Sequence, residues 1–162
     1  MKRYIAILAV LLLAVSFLGC DSEPAVKQFE SENIKITLNE GFNEERTDAG
    51  EVAFVSAELC VYYRYDGIKF YGRRIETFER YCDLVAKNHG VHKSDVVKEK
   101  DLTYFVFDDE LLTSEYSIAT FLFEVEGEFS RFEFVCETGQ LEERMPEIIE
   151  YASSITVNKK AE

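Results

Sequence analysis

The chain has 162 residues, of which 47% are hydrophobic and 14% aromatic, and 31 Asp and Glu against 18 Lys and Arg give a net charge of −13. This length suits one domain. The apolar content excludes a disordered polyanion, and the acidity excludes a nucleic-acid binder, whose phosphate contacts need Lys and Arg.

In chain order, Lys2 and Arg3 open a positive segment, and Ile5 to Leu18 follows as an uncharged apolar run. A membrane-spanning helix needs about 20 such residues, so this shorter run reads as the core of a signal peptide, residues 1–19. Phe17-Leu18-Gly19-Cys20, followed at once by polar Asp21-Ser22-Glu23, resembles the lipobox of bacterial lipoproteins, with Phe17 where Leu is usual. The resemblance implies cleavage before Cys20, a thioether-linked diacylglycerol on Cys20 and a further acyl chain such as palmitate on the new amino group. It places the protein on the extracytoplasmic face of the cell membrane, held there by lipid. Two or more chains anchor stably where one holds marginally. Loss of the two positive charges of Lys2 and Arg3 with the leader takes the net charge from −13 to −15.

Residues 20–32 read as the lipidated cysteine and a polar tether, residues 33–157 as the folded domain, and 158–162 as a polar tail. Ile34, Ile36 and Leu38 alternate with Lys35 and Thr37, the pattern of a half-buried strand. Residues 43–50 are a polar connection. Val52 to Tyr65 alternates throughout and reads as one long strand, ended by Asp66-Gly67. Ile75, Phe78, Cys82, Val85 and His89 then form one stripe of an amphipathic helix over 74–88, with Gly90 at the left-handed C-terminal position. Strands follow at 96–107, 115–125 and 129–136. Glu126-Gly127 joins the last two as a hairpin. Leu141, Met145, Ile148, Ala152 and Ile155 mark a closing helix over 140–154, with Pro146 near its first turn, where a missing N–H costs little.

The order β-β-α-β-β-β-α with hairpin-length links predicts an α+β domain, an antiparallel sheet of about five strands packed with two main helices. Several stretches carry a resemblance in this order. An opening strand ends in Asn39-Glu40-Gly41-Phe42. A long strand leads into the helix at Ile75 to Ala86. Aromatic Phe129 to Cys136 leads into Leu141-Glu142-Glu143-Arg144-Met145-Pro146, and the last helix ends in Ser153-Ser154-Ile155. Over about 31–157 this resembles the PsbP-like fold, including the DcrB-like bacterial lipoproteins. Asn39 stands where Pro is usual, and the aromatic strand lacks the common Trp. The resemblance implies an antiparallel sheet between helices and carries over no catalytic residue.

Three sets of residues invite a functional reading. Tyr62-Tyr63-Arg64-Tyr65 holds the residue types favoured in binding hot spots. Asp108-Asp109-Glu110 clusters oxygens that suit a weak cation site, without a calcium-loop pattern. With Cys20 lipidated, Cys60, Cys82 and Cys136 are an odd set: Cys82 and Cys136 lie on apolar faces and could pair, or all three are buried thiols. His89 and His92 have no partner at metal-ligand spacing, and His89 suits a helix C-terminus. No nucleophile elbow, phosphate loop or metalloprotease motif occurs, and no cofactor is implied. The expectation is a membrane-anchored, non-enzymatic binding domain for another envelope protein, with no nucleic acid. The alternative is a small-ligand or cation-binding lipoprotein that uses a cleft between sheet and helix.

Overall fold

The computed structural model describes residues 25–31, 33–47, 51–70, 72–111 and 114–158, apart from the side chains of 110, 111 and 114. The signal peptide, Cys20 and residues 159–162 lie outside the described residues. The strands are β1 (Val26–Ser31), β2 (Ile34–Asn39), β3 (Asn43–Arg46), β4 (Val52–Val55), β5 (Cys60–Gly67), β6 (Lys69–Phe70) and β7 (Arg73–Arg74). Helix α1 (Phe78–Asn88) and a short 3-10 turn (Lys93–Asp95) come next, then β8 (Val97–Glu99), β9 (Leu102–Leu111), β10 (Ser114–Val125), β11 (Glu128–Glu137), helix α2 (Leu141–Ser153) and β12 (Thr156–Val157).

The main sheet has seven antiparallel strands in the order β3-β4-β5-β11-β10-β9-β8. On one face lie α2 and a small sheet, β1-β2-β12, packed through Phe29, Ile34, Ile36, Leu38 and Ile148 onto Phe54, Val61, Phe121, Phe132 and Phe134. On the other face α1 and Phe70 of the β6–β7 hairpin pack onto Phe105, Leu122 and Phe129. Side chains such as Ile36, Leu38, Phe54, Phe121 and Phe132, which are fully buried, each contribute about 1.5–3 kcal/mol by leaving water.

The α+β class, the antiparallel pairing and the two helices agree with the expectation, but the strands are more numerous and their order differs. Residues 26–31, read as tether, form β1, because Phe29 reaches the core opposite Phe54. The polar connection contains β3, all of whose residues are exposed; Glu44, Glu45 and Arg46 charge this edge against further pairing. The single strand 52–65 is a hairpin, β4–β5. Ser56 turns the chain by taking Leu59 N–H on its Oγ (3.1 Å) and donating its own N–H to the Leu59 carbonyl (3.0 Å). Strand 96–107 is likewise a hairpin, β8–β9, turning at Lys100 with φ 53°. Helix α1 begins later than the stripe suggests, since Thr77 Oγ1 caps Arg80 N–H (3.2 Å). It ends in a Schellman motif: Gly90 has φ 73°, its N–H bonds Lys87 O (3.1 Å), and Val91 N–H bonds Ala86 O (2.9 Å). Pro146 sits in the second turn of α2 and not the first, but on its exposed side, where water can satisfy the carbonyl left without an N–H. The β10–β11 hairpin forms as expected, with Glu126 and Gly127 both at positive φ. Cys82 and Cys136 belong to the two opposite cores and are free thiols, as is Cys60, so the pairing is ruled out by the sheet between them.

Candidate functional site

Alternation along the central strands sends Tyr63, Phe121 and Phe132 toward α2, and Tyr62, Thr120 and Glu133 toward α1. Helix α1 is eleven residues long, about 16 Å, and covers only one end of its face. Beyond its C-terminus no helix lies over the sheet among the described residues, and a groove begins. The first row beyond it runs across four strands in register: Phe107 on β9, Ile118 on β10, Val135 on β11 and Cys60 on β5, with Ile118 buried and the other three half-exposed. The next row is Asp109, Tyr116 and Glu137. Together with the C-terminal end of α1 these rows line a groove of about 870 Å³.

The floor nearest α1 is a chain of charges. Arg131, whose side chain is 10% exposed, donates from Nε to Glu133 Oε1 (2.9 Å) and from Nη1 to Asp66 Oδ2 (2.5 Å). Glu133 Oε2 accepts from Arg64 Nε (3.1 Å), and Arg64 reaches Glu51 at 3.5 Å. Tyr81 of α1 donates its hydroxyl to Asp66 Oδ2 (2.6 Å). Arg64 and Arg131 are direct register partners. Their like charges would repel, and Glu133 holds both by giving one oxygen to each. Burial opposes the charge on Arg131, but Asp66 and Glu133 outweigh it and raise its pKa. Burial, and then Asp66, push the Tyr81 hydroxyl up, so it stays a donor.

His89 ends α1 with its ring 4.4 Å from that of Phe107, at the border of the groove. Burial lowers its pKa, so the ring is neutral at pH 7. Cys60 and Tyr62 share a hydrogen bond on the same face, and burial raises both. The groove therefore presents weakly polar and aromatic groups over a neutralised charge ladder.

A second cavity, of about 450 Å³, lies on the other face between the β8–β9 turn and α2, lined by Leu102, Tyr104, Phe123, Ile149 and Ile155.

No protein-family model matches the sequence, and no curated protein matches it. Solved structures do. The chain is similar to a protein from Bacteroides thetaiotaomicron VPI-5482, with 14% identity and a TM-score of 0.53, covering 84% of this chain and 50% of that one. It is also similar to the cyanobacterial PsbP (CyanoP) of Synechocystis sp. PCC 6803, with 10% identity and a TM-score of 0.51, covering 86% of this chain and 96% of that one. The fold is PsbP-like. The chain spans half the length of the Bacteroides protein, and at these identities the likeness concerns fold alone.

The PsbP-like sandwich separates residues that are adjacent in sequence. Of the tyrosine segment, Tyr62 and Arg64 reach the groove. Tyr63 is buried in the α2-side core and donates to Asn33 Oδ1 (2.9 Å). Tyr65, 38% exposed, lies at the irregularity where β5 shifts register against β11. Asp108 faces the α2 side and accepts from Ser117 Oγ (2.6 Å), Asp109 faces the groove, and the Glu110 side chain is outside the described residues. Strand alternation thus divides Asp108 from Asp109. Among the described residues no three His, Cys, Asp or Glu side chains come together as a metal site. Sequence reasoning passed over Arg131, Glu133 and Asp66. Their signal was two opposite charges at alternate positions in a strand whose other face carries Phe132, Phe134 and Cys136.

Proposed function

We propose that the protein is a lipid-anchored, non-enzymatic interaction module of the cell envelope, and that it receives another envelope protein on the open end of its seven-stranded sheet. The observation that carries this reading is the groove itself: a four-strand apolar row in which Phe107, Val135 and Cys60 are half-exposed around a buried Ile118, beside Tyr62, Tyr116 and Arg64. Tyr and Arg at the edge of a concave apolar surface suit a protein partner. The anchor is compatible with it. Cys20 would be separated from β1 by residues 21–25, at most about 18 Å of extended chain, so the domain would sit against its membrane. Strand β1 belongs to the layer on the other face of the sheet from the groove. No helix among the described residues is long and apolar enough to cross a membrane.

The test is a photo-crosslinking residue at position 135 or, as reference, at exposed position 143 on α2, in cells that carry the full chain. Adducts of one defined mass from 135 and not from 143 are expected; equal or absent adducts would reject the surface. Cys20→Ala should release the chain from membranes, and continued retention would reject the lipid anchor. The second cavity favours the alternative, a small apolar ligand between sheet and α2. Native mass spectrometry that finds a small molecule, lost on Phe123→Ala, would support that alternative.

A further inference from the structure

Building on that interaction surface, we propose that the outer row of the groove, Asp109–Tyr116–Glu137, is a receptor for an Arg or Lys side chain on a basic amphipathic segment of the partner. The argument starts from charge. Five carboxylates line the groove, Glu51, Glu58, Asp109, Glu133 and Glu137, against the guanidinium groups of Arg64 and Arg131. Both guanidinium groups are occupied within the fold: Arg131 by Asp66 and Glu133, Arg64 by Glu133 and Glu51. Glu58 is held from outside by Arg144 at 2.6 Å. Asp109 and Glu137 are left with no Lys or Arg partner among the described residues; the Glu137 carboxylate accepts from Gln140 Nε2 at 3.4 Å.

These two carboxylates are not a chance pair on the surface. Asp109 and Glu137 are the register partners of Tyr116 on its two sides. At ordinary strand spacing their backbones stand roughly 10 Å apart with Tyr116 on the strand between them. A cation seated at Tyr116 has a carboxylate on the neighbouring strand at either side and an aromatic ring within reach. Two residues away along the same strands begins the apolar row Phe107–Ile118–Val135. A chain that places basic side chains in the outer row therefore has an apolar floor for its neighbours. Such a segment is amphipathic, basic on one edge and apolar beside it. A membrane surface fits poorly, because anionic headgroups would face Asp109, Glu137 and a chain of net charge −13.

The experiment uses the full chain in phosphatidylcholine nanodiscs, with empty discs as reference. Labelled peptides of alternating Leu and Arg, or alternating Leu and Glu, are titrated by fluorescence anisotropy. The Arg peptide should bind and the Glu peptide should not. Asp109→Asn with Glu137→Gln should weaken the Arg peptide roughly tenfold, the combined effect of two surface ion pairs and a cation–π contact. Tyr116→Phe should keep binding and Tyr116→Leu should lose part of it. Glu142→Gln with Glu143→Gln, which removes the same charge from the exposed start of α2, should change nothing. Equal weakening by that control pair, or unchanged binding by the Asp109/Glu137 pair, would overturn the inference. Adducts from position 135 in cells, together with no preference for the Arg peptide, would overturn this receptor alone and leave the interaction surface standing.

Discussion

Removing the Glu133 carboxylate should reveal how strongly the charge ladder ties β5 to β11. In Glu133→Ala the guanidinium groups of Arg64 and Arg131 remain as direct register partners with nothing between them. Stranding a buried charge of this kind costs about 3–5 kcal/mol. Two features reduce it here. Asp66 still holds Arg131 at 2.5 Å, and the Arg64 side chain is 39% exposed and still near Glu51. The expected loss is therefore about 2–3 kcal/mol, a fall in Tm of roughly 6–10 °C for a domain of this size. Urea unfolding followed by tyrosine fluorescence, with unchanged m, measures it. Replacing Arg131 by Met and Glu133 by Leu together should cost less than the two single changes added, because the Arg131–Glu133 pair is then removed once, with neither of its own charges left facing the other's absence. A Glu133→Ala loss below about 0.5 kcal/mol, the range of ordinary surface substitutions, or strict additivity in the pair, would refute this account of the ladder.

Other predictions concern groups around the same sheet. His89 has a folded pKa below its ordinary 6.5 because it is buried. The unfolded chain therefore binds the proton first as pH falls, and stability should drop from about pH 7 downward through 6.5 until the folded ring also protonates. The wild-type stability change between pH 7.5 and 5.5 should exceed that of His89→Gln; equal slopes would contradict the burial argument. Cys60, Cys82 and Cys136 should all alkylate after unfolding without reductant. In the folded chain Cys60 should react first, since Cys82 is deeply buried with its thiol pushed up to about 12. Peptide mass mapping reads both outcomes, and a protected pair in the unfolded chain would show a disulfide. Thr77→Ala should cost about 1 kcal/mol by leaving the Arg80 N–H uncapped, a change visible in Cm.

The parts of the fold that could be read in the sequence are those where burial and period agree. Ile34, Ile36 and Leu38 alternate because one face of β2 lies on the core. Gly90 and Glu126-Gly127 mark turns that need positive φ. The hairpin at Ser56 was hidden because Ala53, Val55, Ala57, Leu59 and Val61 keep the alternation across it, and only the Ser56 hydrogen bonds turn the chain. Strand β3 is exposed along its whole length and β12 has two residues, so neither has an apolar period to find. At the site, Tyr62 and Arg64 were legible because they share one strand face. Asp108 and Asp109 were grouped by sequence adjacency, although in a strand neighbours face opposite ways. Arg131 and Glu133 drew no reading from the sequence, and only their partners on β5 and in α1 show why charges are buried there.

Cys60 is a native reporter for the central claim, since it lies in the apolar row of the open face while Cys82 and Cys136 are buried in the two cores. The decisive measurement is the rate of Cys60 alkylation in native membranes compared with the purified full chain at the same pH. A partner seated on the groove predicts slower labelling in membranes, with the purified rate restored when the complex is dissociated by salt. Equal rates in membranes and in purified protein would contradict the assignment of this face as the interaction surface.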